Sequence, residues 1–126
     1  MHVRFLPLFA AFVLLSGLCS AHAEQTNQTF SVHGRLSFYN GTPSFRIWIV
    51  GTKRVLGVDQ SSNEVPSMPQ ALRDLVKGDD TEVFADFVVE PLTPYEQGVM
   101  QRVRVVSASK IVVTEKDKVV LRKDKL

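Results

Sequence analysis

Two short stretches of the chain place cations and aromatic rings two residues apart, the spacing that puts side chains on one side of an extended strand. His33 and Arg35 form one such pair and Arg46 and Trp48 the other, with Tyr39, Lys53 and Arg54 in the turns between and after them. Flat rings bind through their apolar faces, and a guanidinium adds stacking or two-pronged contact with an anion. The set is therefore the chain's candidate ligand-binding surface. A plainer reading of the same residues packs Trp48 under a helix or loop and leaves the arginines as solubilising charges.

Catalytic chemistry is harder to assemble. No Gly-x-Ser-x-Gly turn is present, and Gly51-Thr52-Lys53 lacks the glycine spacing of a phosphate-cradling loop. Asp79, Asp80 and Glu82 read as loop acids between two elements, without the spacing of a calcium-binding loop. No metal, cofactor or catalytic residue is assigned. Serines and aspartates are plentiful enough to complete a Ser–His–Asp set by count, but His33 is expected on an outer strand face, where a solvated or hydrogen-bonded imidazole is the ordinary outcome.

The N-terminus narrows the chemistry further. Arg4 precedes an apolar run from Phe5 to Leu18, which ends in Ala21-His22-Ala23. A run of 14 residues is short for a bilayer span, which takes about 20. The small residues at positions 21 and 23 are what a signal peptidase reads. Residues 1–23 are thus expected to be a secretory signal, cut after Ala23, with a periplasmic or secreted product and no membrane span left after cleavage. An uncleaved N-terminal anchor and lipidation at Cys19 are the competing outcomes, and for the second Leu18 stands where the signal wants a small residue.

Cleavage would remove the chain's single cysteine and two of its three histidines, leaving 103 residues for one disulfide-free domain. A zinc site of thiolates and imidazoles then lacks ligands. The remaining 14 basic and 13 acidic side chains nearly cancel, so a general phosphate-seeking surface is not indicated.

The elements that must position these residues are mostly strands. Residues 24–29 read as a polar leader. From Phe30 to Phe38 apolar and polar residues alternate, Phe30, Val32, Leu36 and Phe38 on the inner face, with Gly34 marking a bulge or bend. Asn40-Gly41 signals a hairpin, and Phe45, Ile47 and Ile49 point inward on the return strand. Val55–Val58 adds a third strand to the meander.

Ser67 and Gln70 have the form of a capping box, Met68, Leu72, Leu75 and Val76 form an apolar stripe, and Gly78 stands where a helix would stop. One short helix is expected there. A fourth strand is expected over Glu82–Glu90 and a fifth over Val99–Ser107, with Ile111–Thr114 a piece that continues or follows it. Residues 115–126 are a charged tail or an added edge strand.

Three meandering strands, a helix and two more strands give a β-rich domain over residues 30–114. That order, with Gly34 in the first strand, resembles small exported bacterial OB-fold domains, which implies a five-stranded closed barrel. An open antiparallel sheet packed on one helix would satisfy the same pattern. In OB folds the ligand face lies across the second and third strands, which implies a role for Trp48, Arg46 and their neighbours. The expected function is a non-catalytic envelope module that binds a protein, peptide or glycan. Single-stranded nucleic acid is disfavoured by charge and compartment, and a small hydrolase or inhibitor is the remaining alternative.

Overall fold

A computed structural model describes residues 28–60 and 65–126. The expected signal sequence with its cleavage point and Cys19, and residues 24–27 of the leader, lie outside the described residues.

Alternation places three strands where the sequence calls for them: β1 (Phe30–Phe38), β2 (Phe45–Ile49) and β3 (Val55–Val58). Leu36, Ile47, Leu56 and Val58 are wholly buried, while Arg35, Arg46 and Trp48 stay half-buried on the opposite face. β4 (Thr81–Pro91) buries every second residue up to Val89, with Phe87 the largest wholly buried side chain among the described residues. β5 (Gln101–Glu115) is one strand of 15 residues.

β1 is central, antiparallel to β2 on one side and to β4 on the other. The meander closes on itself through β3, whose Leu56, Gly57 and Val58 pair in parallel with Gln101, Arg102 and Val103 at the start of β5. β5 runs back antiparallel to β4. Five strands thus form a ring in the order β1-β2-β3-β5-β4, with the apolar faces turned inward around one core. The domain is β-rich with one short helix, as the sequence leads one to expect.

Two local expectations need correction. Gly34 forms no bulge, since β1 keeps an unbroken register with both neighbours. It is instead a point of close approach: a Cβ there would lie 2.5 Å from Ile47 Cγ2 and 3.1 Å from the Trp48 carbonyl oxygen. The register shifts of the sheet fall elsewhere, in the β4–β5 pairing between Phe84 and Asp86 and between Val88 and Val89, and in the pairing of the last two strands between Val113 and Thr114.

The helix is also shorter than its stripe. α1 spans only Gln70–Arg73, begins at Pro69 and has no side-chain cap. Ser67 is otherwise engaged, its N–H donating to the Asp59 carbonyl (2.7 Å) and its own carbonyl accepting from Val105 N–H (2.9 Å). The backbone of Ser67 therefore bridges the end of β3 to β5 and is not free to start a helix. Past Arg73 the chain continues in tight turns, Leu75 N–H to Leu72 and Val76 N–H to Arg73. Leu72 is still wholly buried, and Met68, Leu75 and Val76 pack against the core. One turn of helix suffices because the ring supplies its partner surface.

Of the two readings of residues 115–126, the structure has the added edge strand: Lys116 and Asp117, both with positive φ, turn the chain into β6 (Lys118–Lys125), antiparallel to the end of β5. Among the described residues no helix is long and apolar enough to cross a membrane.

Candidate functional site

The pairing registers decide which outward residues meet. One row of cross-strand neighbours runs through Val55, Trp48, Arg35, Phe84, Val112 and Arg122, from β3 to β6. Its centre is a stacked pair, with the Arg35 guanidinium carbon 4.9 Å from the Trp48 ring centroid. Arg35 Nε also lies 3.7 Å from Glu82 Oε1. The indole N–H of Trp48 donates to the Thr52 carbonyl at 2.7 Å, and the Thr52 hydroxyl donates to Ile49 and accepts from Arg54 N–H. The β2–β3 turn thereby fixes the ring's edge while β1 fixes its orientation. Trp48 is half-buried: one side is taken by Arg35, and its edge is bonded to the β2–β3 turn.

Next along β2, Arg46 lies 4.9 Å from the Tyr39 ring and its Nε donates to the Pro43 carbonyl at 3.0 Å. No carboxylate pairs with it among the described residues. The stack is local to the first hairpin, which Tyr39 N–H closes by bonding the Ser44 carbonyl. Ser37, cross-strand to both Arg46 and Glu82, is buried although it lies on the outer face. Its neighbours are long enough to lie over it.

His33 belongs to a separate group. Its Nδ1 donates to Asp86 Oδ1 at 2.8 Å across the β1–β4 pair, and Lys110 Nζ stands 3.8 Å from the other carboxylate oxygen. No hydroxyl completes a nucleophile–base pair with the ring among the described hydrogen bonds.

Arg54 forms a third group, apart from the Trp48 face. Its guanidinium carbon is 4.6 Å from the Tyr95 ring and 5.7 Å from the Phe30 ring, and it donates to Gln101 Oε1. Gln101 in turn donates from its amide to the Thr93 carbonyl at 3.0 Å. Beside Arg54, the β2–β3 turn and the β4–β5 loop border an open cavity of about 630 Å³, bounded among others by Thr52, Lys53, Val55, Tyr95, Glu96 and Val99. Lys53 therefore joins Arg54 and not the Trp48 face.

The seven residues singled out from the sequence thus divide into three groups: Arg35 with Trp48 and, beside them, Arg46 with Tyr39; His33 with Asp86; and Arg54 and Lys53 with Tyr95. Phe84 and Tyr95 were missed. Phe84 is legible as an outward residue of the alternating fourth strand, whereas Tyr95 sits in a loop with no period to mark it. No family model matches the chain, and neither does any curated protein or solved structure.

Proposed function

We propose that the chain is a non-catalytic binding module of the cell envelope, exported by residues 1–23, which takes a protein, peptide or glycan across the Trp48–Arg35–Arg46 face. The observation that carries this reading is the fixed, half-exposed indole of Trp48, stacked on Arg35 and bonded to Thr52. Such a ring loses little freedom when a partner covers it, which is what makes rigid aromatics effective anchors. Arg46, with a ring and a carbonyl but no carboxylate beside it, retains charge for the partner. The closed ring with α1 between β3 and β4 supports the OB-like reading, in which this outer face is the binding face.

Trp48 is the chain's only tryptophan, so its fluorescence reports directly on the face. Titration of the full chain with soluble peptidoglycan fragments, short peptides and solubilised envelope proteins is expected to shift its emission for one of these classes. Arg46→Ala should then weaken that binding by about tenfold, the scale of 1.4 kcal/mol. Equal affinity in the variant would remove the face from consideration. Loss of affinity that steepens with salt would point to single-stranded nucleic acid, whose phosphate contacts release counterions.

A further inference from the structure

The cavity beside Arg54 differs from the Trp48 face in being concave and walled by a turn and a loop. A guanidinium carries five N–H donors, and within the described residues one side-chain hydrogen bond, to Gln101, is made. Arg54 Nε is buried without a hydrogen-bond partner. No carboxylate pairs with Arg54 or Lys53 among the described residues. A partly buried cation without a counter-charge is costly, and two aromatic rings answer it only in part.

The walls say what else would enter. Tyr95 is 61% exposed and Val99 57% exposed, so an aromatic and an aliphatic surface stand open to water around the cavity. A volume of about 630 Å³ lies within the range of small-molecule sites, about 300–1,000 Å³. The charged lining is Lys53 and Arg54 against Glu96, a balance that suits one negative charge and disfavours a polyanion. The geometry points to a binding site for a monocarboxylate carried on a flat or apolar body, with Arg54 meeting the carboxylate and Tyr95, Val55 and Val99 meeting the body. Guanidinium and carboxylate match in shape as well as charge. A free aromatic acid and the C-terminal residue of a peptide share this chemistry.

This site adjoins the Trp48–Arg46 face through Thr52 and Val55 but draws its charge from Arg54 and Lys53, and the test keeps the two apart. The full chain labelled with ¹⁵N is titrated with N-acetyl-phenylalanine, with its amide, and with a tetrapeptide ending in phenylalanine as acid and as amide. The acids should shift the amide signals of residues 52–55 and 95–101 and bind at least tenfold tighter than the amides. Tyr95→Ala and Arg54→Gln should each weaken the acids at least tenfold, and Arg46→Ala should leave them unchanged. Because Arg54 also packs between two rings, Tyr95→Ala decides if Arg54→Gln fails to fold. Tighter binding of the tetrapeptide acid than of N-acetyl-phenylalanine identifies a chain end as the ligand, and equal binding a small acid; either supports the site. Acids and amides binding alike, shifts that map to Trp48 and Arg46, or no shifts at millimolar concentration would overturn it.

Discussion

The Trp48 face and the Arg54 cavity both set arginine against aromatic rings, but they are held by different parts of the molecule. Arg35 and Trp48 are cross-strand partners, and each is fixed by the register of β1 against β2. Arg54 meets Tyr95 across 41 positions of sequence, one in a turn and the other in a loop. Charge differs as well: Arg35 has Glu82 nearby, while no carboxylate answers Arg54 among the described residues. A face carried by paired strands offers a flat, pre-set surface suited to a large partner. A cavity carried by loops on the same rigid ring suits a small group that enters it.

The sharpest way to break the first region without the second is Gly34→Ala. Gly34 lies directly under β2, and its new methyl would meet Ile47 Cγ2 at 2.5 Å. Ile47 is wholly buried and branched at Cβ, so it has little room to turn away. Overpacking of this kind costs about 1–3 kcal/mol. Urea unfolding followed by Trp48 emission should show that loss. In the native state the amide signals of β1 and β2 should move, and those of residues 95–100 should stay in place. Signals that move equally in both regions would mean that the two are one mechanical unit.

The same division explains what the sequence reveals. β1, β2 and β4 are legible because each buries one face, so their residues alternate with a period of two. β5 reads as two pieces because Val106 and Ser107 are both exposed before Ala108 is buried, an extra residue at the bulge that slips the alternation. β6 leaves no pattern, since all eight of its residues are exposed. The helix is over-read for another reason: its apolar stripe is real, but the bonds that stop it come from Asp59 and Val105, remote in sequence. At the face, the outward set follows from alternation, while the stacking of Arg35 on Trp48 needs the register. At the cavity, Tyr95 and Gln101 come to Arg54 only through closure of the ring, and no local pattern announces that.

The coupling within the face is the next largest effect expected. Arg35→Ala, Trp48→Ala and the double variant form a cycle whose interaction energy isolates the stack from the packing of either side chain. An exposed cation–π pair gives about 0.5–1 kcal/mol. Thermal unfolding followed by circular dichroism measures it without relying on the tryptophan. A coupling near zero would reduce Arg35 to a partner of Glu82 and leave Trp48 held by Thr52 alone.

The smallest effect is expected at the cavity. Tyr95 is exposed in the β4–β5 loop and lies outside the core, so Tyr95→Ala removes one ring from Arg54 and little else. Phe30 and Gln101 still hold the guanidinium. A stability loss of about 0.5 kcal/mol or less in urea unfolding is therefore expected, close to that of an ordinary surface substitution. A loss of 2 kcal/mol or more, on the order of a core truncation, would instead make Tyr95 a structural lid over the end of the ring. The loop would then belong with the paired strands, and the contrast between a strand-borne face and a loop-borne cavity would fail.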